Sequence, residues 1–179
     1  MSDIIKPFNY IADFVTGKKV PEIGSEANRQ KVERFLVENR GYDREDIEVD
    51  VDVELEISGE PYRSQIDLVV SVDGKRFMAI KCAAASLGSR EREILSTSRI
   101  MGDYQMPYSV VSDGEAAIVL DTISGEKLGD GLEAIPAKSY VEKEIAGMAF
   151  IPLPEKRLEK EKLIFRTYDM ANVNVQRNL

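Results

Sequence analysis

Residues 48–57, EVDVDVELEI, alternate acidic and apolar without a break. Successive side chains of an extended chain point to opposite faces. Val49, Val51, Val53, Leu55 and Ile57 therefore share one face, and Glu48, Asp50, Asp52, Glu54 and Glu56 the other. A helix would scatter this pattern around its circumference, so the stretch is a strand with one wet face, and it obliges the chain to build a sheet. Five carboxylates in a row resemble a metal cluster on paper. A solvated face that discourages edge pairing is the simpler reading. Two more strands follow as a meander, 62–72 (YRSQIDLVVSV) and 76–82 (RFMAIKC), around the turn signal Asp73-Gly74.

Helices flank the meander. Residues 7–16 (PFNYIADFVT) have helical spacing and stop near Gly17. Residues 25–40 predict a longer helix, with Ser25 as N-cap, Glu26 in its first turn and Gly41 as its stop. Val32, Phe35 and Leu36 form its apolar stripe, and Glu26 and Glu33, seven apart, share a flank. A third helix is predicted over 89–104, with Ile94, Met101 and Tyr104 near one face. Pro107 opens a strand at 108–112, Asp113-Gly114 turns the chain, and 116–121 is the next strand. Residues 138–147 and the highly charged 154–170 read as helices. Strand runs packed on helices make an α/β or α+β sandwich around a mixed sheet.

The 179 residues fit one domain with a real core. There is no histidine and a single cysteine, Cys82. That removes Ser-His-Asp and Cys-His nucleophile pairs, histidine bases, disulfides and zinc clusters. Any metal site must be built from oxygens, which points to Mg²⁺, Mn²⁺ or Ca²⁺. The net charge of −8 argues against a broad basic surface for nucleic acid but leaves room for a local positive patch. No apolar stretch is long enough for a membrane span, and MSDIIKPFNYIADFVTGKK lacks a signal-peptide layout, so a cytoplasmic protein is expected. No Gly-rich phosphate loop occurs; GEKLGDGLEAIP has glycines without that spacing.

The segment 65–82 carries the chemistry. Asp67 sits inside one apolar strand and Lys81 inside the next. Isolated charges in half-buried strands are costly unless paired or coordinated. A two-residue Asp73-Gly74 loop would put Asp67 opposite Ile80; a three-residue loop, or an equivalent bulge, would put it opposite Lys81. The second register is expected, because cross-strand charge pairing is favourable. Cys82, alternating away from Lys81, reads as a small buried side chain. A buried structural ion pair is the plain alternative for Asp67 and Lys81.

With this order of elements, an Asp in one strand and a Lys in the next, the chain resembles the PD-(D/E)xK nuclease superfamily. More narrowly, it resembles the N-terminal nuclease domain of type I restriction enzyme R subunits and their stand-alone relatives. The resemblance spans roughly residues 22–135. It rests on the helix with Glu26, Gly41-Tyr42, Ile66-Asp67-Leu68, Ile80-Lys81, and Pro107-Tyr108 through Asp113-Gly114. It implies an α/β fold of the restriction-endonuclease-like sandwich type, a mixed central sheet of about five strands flanked by helices. It also implies Mg²⁺ (or Mn²⁺) held by Asp67, the Ile80 carbonyl and Glu26, with Lys81 polarising water or phosphate.

Where the family carries an acidic residue, position 79 is Ala. The lost carboxylate could reflect an introduced change, a degenerate member kept for binding, or replacement by Glu91 or Glu93 from the next helix. Lys81-Cys82, the loop AAASLG and Ser89-Arg90-Glu91-Arg92 resemble a natural subgroup of such proteins. Ser89, Arg90 and Arg92 open a helix, and their donors suit a DNA backbone; an ordinary charged helix start capped by Ser89 is the plain reading. The layout expected is an N-terminal helix (1–20), the nuclease-like domain (21–150) and a charged helical extension (151–179). The expected function is a Mg-dependent endonuclease or a nuclease-like DNA-interacting domain; the alternative is a degenerate fold binding DNA or protein. The partners implied are DNA and the ATPase or methyltransferase subunits of a restriction system, with a homodimer open.

Overall fold

The computed structural model describes residues 8–176, with side chains through Ala171. The meander forms as predicted: β3 (Ile47–Ile57), β4 (Glu60–Val72) and β5 (Lys75–Cys82). With β6 (Tyr108–Ser112), β7 (Ala117–Asp121) and β8 (Lys127–Asp130) they make a six-stranded sheet in sequence order. The sixth strand lies in the glycine-containing cluster that carried no strand signal. All neighbours are antiparallel except β5 and β6. A parallel pair cannot be joined by a tight turn, and the crossover between them is α2 (Glu91–Ile100).

Two apolar layers enclose the sheet. On one side α1 (Glu26–Arg40) and α3 (Lys138–Glu144) cover Leu68, Val70, Met78, Ile80, Cys82 and Val110 through Val32, Leu36 and Val141. On the other, α2 and α4 (Glu155–Gln176) cover Val69, Ala79, Val111 and Leu120 through Ile94 and Phe165. The long β3–β4 hairpin serves both layers. Val49 packs with the first and Val51 with the second. Between them Asp50 has a left-handed φ of 52°.

The helix expected over 7–16 does not form; Pro7 lies outside the described residues. Residues 8–22 instead hold a hairpin, β1 (Tyr10–Ala12) paired with β2 (Lys19–Pro21). Its helical spacing was outweighed by a tertiary contact: Asp13 is buried and bonded to Arg29 and Gln30 of α1. Ser25 makes no side-chain cap bond, whereas Gly41 ends α1 as predicted, with φ 77° and Tyr42 N–H donating to the Leu36 carbonyl. The charged helix predicted at 154–170 is longer than expected. It lies against α2 and the β3–β4 hairpin, where Asp169 accepts from Tyr62 and Ser64. No helix among the described residues is long and apolar enough to cross a membrane.

The Asp113-Gly114 turn brings the end of β6 onto α1. A Cβ on Gly114 would lie 2.4 Å from the Lys31 Cβ and 3.0 Å from the Asn28 carbonyl, at φ 85°. Gly114→Ala is therefore expected to lower stability by about 2–3 kcal/mol through clash and a strained backbone. Urea titration checks this; an unchanged midpoint would refute the close approach.

Candidate functional site at the carboxyl ends of the parallel strands

The turn after β4 has only two residues. Asp73 (φ 51°) and Gly74 (φ 73°) join Val72 to Lys75. A three-residue loop was not used. A bulge does its work: Ser71 pairs with Arg76 but Val70 pairs with Met78, leaving Phe77 extra. Leu68 then sits opposite Ile80, and the next step outward brings Asp67 to Lys81. Asp67 Oδ2 lies 3.6 Å from Lys81 Nζ and accepts a 2.7 Å hydrogen bond from the Cys82 N–H.

Position 79 is Ala, fully buried on the α2 face. A carboxylate nevertheless reaches Lys81 from that side. Glu93 of α2 places Oε1 3.4 Å from Lys81 Nζ, and its other oxygen lies 3.4 Å from Arg90. Of the two replacements weighed from sequence, Glu93 comes inward, and its side chain is 3% exposed. Burial works against the charge on Lys81, but Asp67 and Glu93 more than offset it and raise its pKa. Cys82 behaves as expected: burial first, then Asp67, pushes its thiol well above the ordinary range, so it is no nucleophile.

The structure places the other predicted residues differently. Ser89 does not cap a helix; it lies in a 3-10 turn, Gly88–Arg90, and donates to the Ser86 carbonyl. α2 begins later, at Glu91, and ends at Ile100. Arg90 is partly committed to Glu93, while Arg92 is exposed. Glu26 opens α1, but its carboxylate accepts from Arg29 and Gln30, not from Lys81. Further along the same turn, Asn28 donates to the Ala83 carbonyl, two residues past Lys81.

Arg29 is the centre of a second charged cluster that the sequence pattern did not announce. It is 4% exposed and bonds Glu26, Asp13 and Asp50, with Glu33 3.6 Å away. Burial opposes its charge, yet Asp50 and Glu26 raise its pKa. Burial would also raise Asp13, but hydrogen bonds from the Thr16 N–H and hydroxyl and the Gln30 amide, with the charge of Arg29, hold it below the ordinary range. Glu33, fully buried and one turn on, goes the other way: burial, then Asp13, pushes it up to about 8. A signal was present in the spacing. Glu26, Arg29 and Glu33 recur on one flank of a helix, and Asp13 interrupts the apolar YIADFV.

Because the folded pKa of Glu33 lies above its ordinary 4.5, the folded state holds the extra proton between these values. Stability is then expected to fall as pH rises from about 5 to about 8, by at most ~1.4 kcal/mol per pH unit, and to level off above. Glu33→Gln should remove that slope and be the more stable protein at pH above about 8. Thermal melting across pH checks it; parallel curves for the two proteins would refute the assignment.

The donor set at Asp67 and Glu93 is all oxygen: two carboxylates, with the Ile80 carbonyl on the strand between Ala79 and Lys81. Mg²⁺ is commonly held by one or two carboxylates plus waters and substrate phosphates, so the residues fit such an ion. Among the described residues no group of three or more Asp, Glu, His or Cys is arranged to hold one without such help. A half-buried lysine between two acids, near the carboxyl ends of the one parallel strand pair, lies where ligands of open α/β sheets commonly bind. No curated protein and no solved structure matches the chain. The sequence profile of the family described as type I restriction enzyme R protein N terminus matches residues 24–136, from the residue before Ser25 through β8 and the turn that follows it. The chain belongs to that family, the N-terminal region of the type I restriction enzyme R protein.

Proposed function

We propose that this chain is a DNA-interacting, nuclease-like domain of a restriction system, and that Asp67, Lys81 and Glu93 form a phosphodiester-cleaving centre dependent on Mg²⁺ or Mn²⁺. The observation that carries the reading is Glu93. It supplies from α2 a carboxylate on the face where position 79 has none, and it does so at Lys81. Asp67, Glu93 and the Ile80 carbonyl would hold the ion. The ion would supply neutralisation of phosphate charge and a more acidic bound water.

The chain's own residues do the positioning. The Cys82 N–H fixes one Asp67 oxygen, which leaves the other free to turn outward. Lys81, kept charged by its two acids, presents donors to a non-bridging phosphate oxygen or to the attacking water. Arg90 and exposed Arg92 lie at the start of α2, within the same corner, as phosphate contacts. Glu26 stands one layer back, orienting Arg29. DNA and the other subunits of a restriction system are the partners of this reading.

Ala79 favours a second reading, a fold retained for binding DNA or protein after cleavage was lost, with Asp67, Lys81 and Glu93 as a structural ion cluster. Cleavage of duplex DNA in Mg²⁺ or Mn²⁺ separates the two. The nuclease reading expects nicking that drops by ~100-fold or more in Lys81→Met and Glu93→Gln, the scale for losing one positioned charge-stabilising group. It also expects saturable Mn²⁺ binding by calorimetry that Asp67→Asn abolishes. Cleavage that ignores Lys81→Met comes from a contaminant, and absence of Mn²⁺ binding in the folded wild type refutes the nuclease reading.

A further inference from the structure

Two guanidinium groups converge on one ring at the surface of this acidic protein. The Arg34 guanidinium carbon lies 4.5 Å from the centre of Phe14, and that of Arg44 4.6 Å. They come from different elements, α1 and the 3-10 turn Arg44–Asp46, and both residues are exposed. Neither has a carboxylate in ion-pair range among the described residues, although the chain carries 32 acidic residues to 24 basic.

Three of the neighbouring acids are occupied elsewhere. Glu33, beside Arg34, points inward to Arg29 and the Val15 N–H. Asp43 and Asp46, flanking Arg44, both pair with Lys138. The ring itself is held in place. The Phe14 N–H donates to Gln30 at 2.7 Å, and its neighbour Val15 to Glu33. Cation–π attraction of about 0.5–1 kcal/mol per exposed pair holds each guanidinium on the ring. The ring thus gathers two planar donor forks at one place on the surface. Guanidinium forks match phosphate oxygens two at a time.

We infer that Arg34 and Arg44, gathered on Phe14, are a phosphate-backbone clamp for duplex DNA lying along α1. The inference rests on the DNA-interacting reading above. Asp13, which precedes Phe14 in the chain, bonds Arg29 of α1, and the same helix reaches the strand end two residues past Lys81 through Asn28, which donates to the Ala83 carbonyl. Arg34 lies five residues beyond Arg29, about 7.5 Å along the helix. Exposed Lys18 belongs to the same loop as Phe14. An acidic protein surface could also meet two arginines, but α1, which carries Arg34, also reaches the strand end beside Lys81 through Asn28, and this favours the phosphate chain.

The test is fluorescence anisotropy of a labelled duplex, in Ca²⁺ to withhold cleavage, from about 50 to about 200 mM salt. The double variant Arg34→Gln/Arg44→Gln is expected to bind ~10-fold more weakly at the low end, with a log–log salt slope shallower by about 1.8, that is ~0.9 for each phosphate no longer neutralised. Arg34→Lys/Arg44→Lys should recover the slope but only part of the affinity. Lys127→Gln, which removes a charge from the far edge strand β8, should change neither. Melting temperatures of all variants verify folding. A double variant with wild-type affinity and slope overturns the clamp while leaving the nuclease reading to its own Lys81→Met result. A double variant that keeps duplex binding but loses binding to polyglutamate assigns the patch to an acidic protein and also overturns it. A folded wild type that binds no duplex overturns both.

Discussion

Lys81 can be charged inside the sheet only because two carboxylates reach it from different directions. Asp67 comes from the neighbouring strand and Glu93 from the crossover helix. Each demands a feature of the fold. Asp67 needs the bulge at Phe77, since the plain two-residue hairpin would slide it opposite Ile80 and onto the other face. Glu93 needs α2 to lie directly over β5 and β6, which the parallel pair enforces by requiring a crossover. Removing Lys81 would take away the cation that both acids share in a poorly solvated place, a costly state. The site and the register of the sheet are thus one constraint seen from two sides.

A second buried cation has a different task. Arg29 ties the first hairpin, α1 and β3 together through Asp13, Glu26 and Asp50. It faces more negative charge than it can neutralise, and the excess is relieved by Glu33 taking up a proton rather than by a further cation. On the opposite layer α2 is pinned by a chain of hydroxyls, Ser98 to Ser109 to Thr122, and by Arg99, which bridges the Thr122 carbonyl and Glu161 of α4. Sites that must hold charges at fixed distances benefit from such stiffness, because a displacement of about an ångström spoils their geometry.

Several parts of this arrangement were legible in the linear chain. The alternation of 48–57 required a strand, the two Asp-Gly pairs marked hairpins, and Gly41 marked the end of α1. A lone Asp and a lone Lys in adjacent apolar strands had to be partners, since neither could remain alone there. Glu93 was visible as one of two substitutes, but alternation along a strand says nothing about which residue of the next helix turns inward. The hairpin at 8–22 was hidden for a similar reason. Phe8, Ile11, Phe14 and Val15 repeat at helical spacing, and only the partner of Asp13, sixteen residues away on α1, decides that the segment extends.

The sequence by itself determined what depends on near neighbours: the face each strand buries, where turns occur, and the absence of histidine and paired cysteines that leaves carboxylates and lysine as the chemistry at hand. Tertiary structure decided what depends on charges meeting across elements. It chose a bulge over a longer loop and Glu93 over Glu91, and it set Glu26 on Arg29 rather than beside Asp67. The reason is physical. Local propensities differ by tenths of a kcal/mol, whereas an unpaired charge in a closed interior costs several, so the packing of charged side chains overrules the pattern wherever the two disagree.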